Sequence, residues 1–348
     1  MTAPAHAPPP SLLARTLGLV SGLAGLLVLT VLVAANIGPQ PIPVPVIVDS
    51  LHRFLTHQPA GPQAQLAFIF WHLRLPRVAL GAIVGLSLSV SGGALQGLLM
   101  NPLADPYLVG VSAGAALGAT LATLLHVSDL GGGVAKCLLA FLAGAGTMVL
   151  VLWLARTRRR LERDAFILSG VVVGSFMWAF VTMVIALSGE DIAVHVRWLM
   201  GSLSAEMNWP VVGVAALLAA AGSLALYSYA RDLNLLALGE EPARQLGVET
   251  EPLKVRVILF SSLITAAAVS VSGIIGFVGL VIPHIARKLV GPDHRLLLPA
   301  AGLLGASFLV WADTLARSAK DCFPVGVLTS LLGAPFFFYL LKRRPRVA

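Results

Sequence analysis

Long apolar segments recur along the whole chain and are separated by short polar stretches. Most of them are close to the roughly 20 residues that a helix needs to cross the hydrocarbon core of a bilayer. A soluble protein of 348 residues has one or two cores and cannot bury so many uncharged segments. The pattern therefore predicts an all-α polytopic membrane protein with about ten transmembrane helices. The predicted spans are residues 17–35, 76–99, 107–125, 134–155, 165–188, 210–230, 254–273, 277–290, 296–316 and 325–341.

Two of these regions differ from the rest. Residues 1–11 are rich in Pro and Ala, which predicts a disordered tail ahead of a single transmembrane domain over residues 12–348. The run 17–35 also resembles the apolar part of a signal peptide, but it is long for that role and many spans follow it, so we expect a retained first helix. The eighth span, 277–290, is short and carries Gly and Pro at its borders, which predicts a broken or tilted helix.

The positions of Lys and Arg predict the orientation in the membrane. If the N-terminus is cytoplasmic and the spans alternate, most of these residues fall on the cytoplasmic side, including the basic run from Arg156 to Arg163. Cytoplasmic loops of membrane proteins carry such an excess of positive charge. The distribution therefore predicts that both termini are cytoplasmic.

The composition supports a membrane protein and argues against other classes. Hydrophobic residues make up 57% of the chain and charged residues 11%, against about 25% charged in an average soluble domain. The net charge of +8 could indicate nucleic-acid binding, but the basic residues are dispersed among the spans, and cationic membrane loops explain them better. Cys137 and Cys322 are far apart, so their spacing indicates neither a disulfide framework nor a metal site.

One polar segment interrupts the apolar pattern, and we call it the double turn (residues 233–252). Gly239 suits the end of one short helix, and Glu240 and Glu241 favour the positive N-terminus of a second helix that ends at Gly247. Leu238, Ala243 and Leu246 would then form a small apolar knob. The residues alone leave two alternatives open, a well-capped surface loop and a docking element for a soluble partner.

The chain lacks the common motifs that would supply energy or catalysis. It has no Gly-Lys dipeptide, which a phosphate-binding P-loop requires, and no HExxH zinc motif. No chain of buried acidic residues or histidines indicates an ion-coupled carrier, which disfavours that class. Asp313 lies clearly within a span, four residues before Arg317, so we expect the two to neutralise each other on one helix face. We therefore expect a transport protein that is not itself an enzyme.

Several motifs, in order, resemble those of the FecCD-like permeases, which are the membrane subunits of type II ATP-binding-cassette (ABC) importers for iron–siderophore complexes, haem and vitamin B12. The resemblance covers nearly the whole chain after residue 70. The motifs are RLPRVALGAIVGLSLSVSGGALQGLLMNPLADPYLVGVSAGAALGA (74–119), WLMGSLS (198–204), LGEEPARQLGV (238–248), SGIIGFVGLVIPHIARKLVGPDHRLLLP (272–299) and PVGVLTSLLGAPFFFYLL (324–341).

The resemblance implies a partner for each end of the protein. The chain would be one of two permease subunits, most simply a homodimer, in a bacterial inner membrane. Two separate ATPase subunits would bind ATP and Mg, and an external binding protein would deliver the cargo, so this chain would bind no cofactor or metal. The implied ATPase-coupling residues are Leu238, Gly239, Ala243, Leu246 and Gly247. The implied binding-protein docking residues are Arg74, Arg77 and Arg317.

The resemblance also implies a cargo route between the two subunits. The expected translocation path carries Ser169, Gly170, Gly174, Trp198 and Met200, although small residues such as these glycines can equally serve helix packing. The expected cargo is an iron chelate, a siderophore complex or haem, with vitamin B12 and an ion-coupled carrier as alternatives. His195, near the expected entrance, is more simply an interfacial residue than a haem ligand. One departure from the family pattern is Cys322, which occupies a position that is often glutamate, with Asp321 beside it.

Overall fold

The computed structural model describes residues 12–38, 40–56, 61, 63–128, 130–157, 160–203, 208–319 and 323–342. The predicted tail, residues 1–11, and the pair Asp321 and Cys322 lie outside the described residues. In chain order the elements are α1 (Leu12–Asn36), α2 (Val44–Leu55), α3 (Ala64–Phe68), a π-helical turn (Ile69–Arg74), α4 (Leu75–Leu98), a 3₁₀ turn (Pro106–Val109), α5 (Val111–Leu124), α6 (Val134–Ala155), β1 (Arg156–Thr157), β2 (Arg160–Leu161), α7 (Arg163–Leu187), a 3₁₀ turn (Gly189–Asp191), α8 (Ile192–Leu199), α9 (Trp209–Ser228), α10 (Ala230–Leu236), α11 (Glu240–Gln245), α12 (Thr250–Ser272), α13 (Val278–Val290), α14 (His294–Ser318) and α15 (Val325–Lys342).

The predicted all-α membrane architecture is confirmed. Seven helical segments of the described chain are long and apolar enough to cross a bilayer: most of α1, the continuous helix Ala64–Leu98, and α6, α7, α9, α12 and α14. The shorter apolar helices α5 and α15 and the 13-residue α13 bring the total to about ten, as predicted. Strand structure within the described residues is limited to the two-residue pair β1–β2, which we call the hairpin (residues 156–161).

The second span differs from its predicted bounds. The helix begins at Ala64 rather than at residue 76, because a π-helical turn over Ile69–Arg74 joins α3 to α4 without a break. Pro76 follows a turn with altered backbone hydrogen bonding, where its missing N–H is tolerated. The amphipathic helix α2 was not predicted.

Helix α4 forms the centre of the bundle and packs against α14, α12, α13 and α9. Glycines allow its closest contacts. A Cβ atom on Gly92 would lie 1.8 Å from the Gly279 carbonyl oxygen, and one on Gly85 would lie 2.2 Å from that of Gly305. Apolar burial drives helix association weakly inside a membrane, so small residues that permit close backbone packing stabilise such crossings.

The bundle has two ends, which α14 connects. Its 25 residues span about 37 Å at 1.5 Å per residue. The double turn is attached to the start of α14 through Asn234. Asn234 Nδ2 donates to Asp293 Oδ1 at 2.6 Å, and Asn234 Oδ1 accepts from the His294 backbone N–H at 2.9 Å. Near the last residues of α14 lie Asp313 and Arg317. The predicted coupling and docking residues therefore lie at opposite ends of the molecule.

Candidate functional site

The double turn forms the two short helices that its capping residues predict. α10 ends at Leu236 and α11 runs from Glu240 to Gln245, with both acidic residues in its first turn. Gly239 has a φ of 115° and Gly247 a φ of 87°, backbone conformations that favour glycine. Pro242 lies in the third position of α11, which begins two residues before it.

The structure separates the predicted knob into an exposed part and a buried part. Leu238 and Leu246 are 64% and 57% exposed, whereas Ala243 is fully buried. Ala243 belongs to the same core cluster as Leu236 and Val248, so it fixes α11 to the bundle from beneath. Within this fold the Ala243 side chain faces inward, and its coupling role stays a prediction. The exposed leucines are the surface that a partner can reach.

At the opposite end, Arg77 and Asp313 form a bidentate ion pair between α4 and α14. Arg77 Nε donates to Asp313 Oδ2 at 2.9 Å and Arg77 Nη2 donates to Oδ1 at 2.8 Å. The Asp313 side chain is 2% exposed and that of Arg77 is 19% exposed. The expected partner of Asp313 was Arg317 on its own helix. The structure gives the direct charge-assisted hydrogen bonds to Arg77, which sequence spacing could not show because the two residues are 236 positions apart.

The other two arginines hold the C-terminal end of α1. Arg74 is buried and donates to the carbonyl oxygens of Ala35 at 3.1 Å and Gln40 at 2.6 Å. Arg317 is also buried and donates to the carbonyl oxygen of Ala34. The last carbonyl groups of a helix have no partner within the helix, and these guanidinium groups satisfy them. The docking role of the three arginines stays a prediction, and in this conformation all three already have internal partners.

The five residues expected on the translocation path do not share one surface. Gly170 and Gly174 are buried in α7 against Gly110, so their smallness serves helix packing, the alternative stated for them. Ser169 is half-buried beside them. Trp198 is buried, and Lys136 Nζ lies 6.0 Å from its ring centre. Met200 alone among the five lines an open groove.

That groove lies along α15 and has a volume of about 600 Å³. Its wall includes Met200, Ile274, Val327, Ser330, Leu331 and Phe338. Leu331 and Phe338 are 67% and 71% exposed, and the lining residues carry no charge. Such an exposed apolar face indicates either lipid contact or a protein partner.

His195 lies in the middle of α8 and is not available as a ligand in this conformation. Its ring is 2% exposed and its Nε2 is 2.8 Å from Ser188 Oγ. Burial lowers the pKa of His195, because desolvation disfavours the imidazolium, while Asp191 acts in the opposite direction. The described residues contain no group of three or more His, Cys, Asp or Glu side chains placed to hold a metal ion.

Comparison with known proteins identifies the family. The profile of the FecCD transport family matches residues 26–343. The chain belongs to this family. It is 42% identical over 330 residues to an uncharacterised ABC transporter permease of Bacillus subtilis, with 92% of each chain covered. It is 40% identical over 358 residues to the cobalamin import system permease of Halobacterium salinarum, covering 93% of this chain and 96% of that one.

A solved structure shares the fold. An ABC transporter described as being of the metal-chelate type, in an inward-facing conformation, has a TM-score of 0.79 and 34% identity, covering 94% of this chain and all of that one. Further FecCD relatives are named for hemin, molybdate and iron(3+)-hydroxamate import. The resemblance inferred from the motifs is therefore confirmed, and the chain is a multi-pass ABC importer permease of the FecCD family. These relatives are named for several different cargos.

Proposed function

We propose that this FecCD permease carries a metal chelate into the cytoplasm, with a ferric siderophore or haem as the first candidate. ATP would be hydrolysed by two partner subunits, and a separate binding protein would deliver the cargo. The observation that supports this division of labour best is the double turn, whose exposed Leu238 and Leu246 stand on a glycine-bounded helix. Such a rigid apolar knob suits a cleft on a soluble ATPase better than a free surface loop would.

The groove along α15 supports a second copy of the chain as the partner across the cargo route. Its exposed residues Leu331 and Phe338 are apolar, and Met200 closes one side. Two such grooves facing each other would enclose a wide passage whose walls bind weakly. A bulky chelate can cross such a passage without strong contacts, and selection would then lie with the binding protein.

The arginine end of the bundle is the proposed docking face. Arg77 is paired with the carboxylate of Asp313, and Arg317 lies close enough to Asp313, Arg77 and Arg74 to interact with all three electrostatically. This arrangement leaves an excess of positive charge that suits acidic side chains on a binding protein. Docking at this face would require the binding protein to reach Arg74 and Arg317 at the C-terminal end of α1. If the binding protein docks at this face, the double turn would lie on the cytoplasmic side, in keeping with the distribution of Lys and Arg that predicts cytoplasmic termini.

The test begins with purification from the native membrane in mild detergent, followed by mass spectrometry. We expect a P-loop ATPase in equal amount, together with a second copy of the chain. The complex is then reconstituted with its binding protein, and uptake of radiolabelled ferric hydroxamate, haemin and cyanocobalamin is measured with and without ATP. ATP-dependent uptake of either iron compound supports the proposal. A chain that is folded but purifies without an ATPase would contradict it and favour an ion-coupled carrier.

Cobalamin is the second candidate cargo. The cobalamin permease of Halobacterium salinarum is 40% identical across 93% of this chain, against 41% across 79% for the hemin permease of Yersinia pestis and 34% across 94% for the iron(3+)-hydroxamate permease of Bacillus subtilis. Uptake of cyanocobalamin alone in the same assay would select this candidate and would leave the permease mechanism unchanged.

A further inference from the structure

Two backbone groups of Leu161, the last residue of the hairpin, are held by side chains of α12. The Leu161 N–H donates to Glu251 Oε2 at 2.8 Å, and Lys254 Nζ donates to the Leu161 carbonyl oxygen at 3.3 Å. Leu161 is 4% exposed and belongs to the same core cluster as Leu253. Because α7 begins at Arg163, only two residues later, the start of α7 is fixed to the first turns of α12.

The same lysine also reaches the double turn. Lys254 Nζ lies 2.7 Å from Glu240 Oε1 and 3.0 Å from Glu251 Oε1. Glu240 is the first residue of α11. The Lys254 ammonium group donates to Glu251 on α12 and to the Leu161 carbonyl oxygen in the hairpin, and it forms an ion pair with Glu240 on α11. A single side chain therefore connects three segments.

This connection is better protected from water than its neighbours are. The Lys254 side chain is 12% exposed, whereas that of Arg244 is 42% exposed and its ion-pair distances to Glu240, Glu241 and Glu251 range from 3.3 to 3.9 Å. Exposed pairs contribute little because solvent and salt screen them. Of the two cations paired with Glu240, Lys254 is therefore the more shielded and the nearer, at 2.7 Å against 3.3 Å for Arg244.

The hairpin has little length in which to absorb a movement. Only residues 156–162 join α6 to α7, and the strand pair Arg156–Leu161 and Thr157–Arg160 fixes their register. A displacement of α11 that pulls on Lys254 would therefore pass to the first turn of α7. The start of α11 and the start of α7 are linked in space although Glu240 and Arg163 are 77 positions apart in sequence.

We propose that Lys254 and Glu251 are positioning residues that transmit movement of the double turn to α7 through the hairpin. This inference rests on the proposed function, because a docked ATPase is what would move the double turn. It identifies a contact that acts in addition to the exposed Leu238 and Leu246. A docked ATPase would move these leucines, and the Lys254 contact would direct part of that movement to α7.

The test measures amide hydrogen–deuterium exchange in the assembled permease–ATPase complex, with and without ATP and vanadate. Peptides covering 238–248 report on the double turn, and peptides covering 156–163 report on the hairpin, including the Leu161 amide itself. In the wild-type complex we expect both to change on trapping. In Lys254→Met we expect the change at 238–248 to persist and that at 156–163 to become at least about threefold smaller.

Two variants separate positioning from general stability. Lys254→Arg keeps a cation with several donors and should restore the response of the hairpin. Arg256→Met removes an exposed cation two positions away on the same helix and should behave as wild type. If Lys254→Met does not assemble with the ATPase, Glu240→Gln weakens the contact of Lys254 to α11, together with the exposed Glu240–Arg244 pair within α11, and leaves the Lys254 contacts to Glu251 and Leu161 in place. Its matched control is Glu241→Gln, whose side chain is 73% exposed and lies 3.7 Å from Arg244.

The outcomes distinguish this inference from the proposed function. An undiminished hairpin response in Lys254→Met, or in Glu240→Gln where that variant is used, would overturn the inference. So would an equal loss in the control variants, or a wild-type hairpin that does not respond to trapping. Absence of an ATPase from the wild-type preparation would instead overturn the proposed function.

Discussion

At the scale of the residue, burial decides which of the predicted site residues can act at a surface. Leu246 and Ala243 lie three positions apart on the double turn, yet one is 57% exposed and the other is fully buried. Sequence alone could not separate them, because both are small or apolar and fit the same knob. The difference arises from α12, against which Ala243 packs together with Val248.

Replacing each of these residues with Arg should have opposite consequences. Leu246→Arg should greatly reduce co-purification of the ATPase while leaving the unfolding temperature unchanged, because a charge on an exposed site costs little folding energy. Ala243→Arg should lower the unfolding temperature, because the bulky cation cannot fit the buried site. Thermal unfolding in detergent and the ATPase-to-permease ratio measure the two effects. Normal assembly of Leu246→Arg would exclude it from the interface.

The Arg77–Asp313 pair allows a second residue-scale prediction. Asp313→Asn leaves the partly buried guanidinium of Arg77 without its counter-charge, which typically costs about 3–5 kcal/mol of stability. We expect an unfolding temperature lower by about 5 °C or more. The double variant Arg77→Met with Asp313→Leu removes both charges and should recover much of that loss. If Asp313→Asn unfolds at the wild-type temperature, the pair does not stabilise the bundle.

At the scale of the element, the long apolar helices were predictable and the contacts between them were not. The hydrophobic segments and the capping residues of the double turn were enough to locate α6, α7, α9 and α12 to within a few residues. The π-helical turn before Pro76 depends on tertiary packing, whereas the amphipathic pattern of residues 44–55 is a local signal that a search for long uncharged spans passes over. Arg74 and Arg317 bind backbone carbonyl groups of α1. Every residue carries such a group, so the sequence does not indicate which ones the arginines reach.

The crossing of α4 and α13 gives a prediction at this scale. Gly92→Ala should force the helices apart, because its Cβ atom would lie 1.8 Å from the Gly279 carbonyl oxygen, and overpacking of this kind costs about 1–3 kcal/mol. Gly146→Ala is the matched control, since a Cβ atom there has no neighbour within 4 Å. Thermal unfolding should show a lower midpoint for Gly92→Ala alone. Equal midpoints in the two variants would mean that α13 can shift at no cost.

At the scale of the whole molecule, the fold predicts where a second copy binds. The groove along α15 is apolar and open in the single chain, and we propose that it faces the same groove of the partner subunit. In a background without Cys137 and Cys322, Leu331→Cys should form a disulfide between two copies on mild oxidation. Leu217→Cys is the control, because Leu217 is equally exposed, at 69%, but lies on α9. Non-reducing electrophoresis measures the dimer, and cross-linking of both variants alike would indicate random collision in the membrane.

The hold that Arg74 and Arg317 have on the end of α1 has a consequence for biogenesis. The ribosome delivers α1 first, Arg74 soon afterwards and Arg317 only when nearly the whole chain has been made. The end of α1 therefore acquires its carbonyl partners in two stages that are separated by most of protein synthesis. In a nascent chain that stops before α14, Arg74 is the one of these two arginines that can bind the carbonyl groups of α1, and completion of the bundle coincides with the arrival of the second.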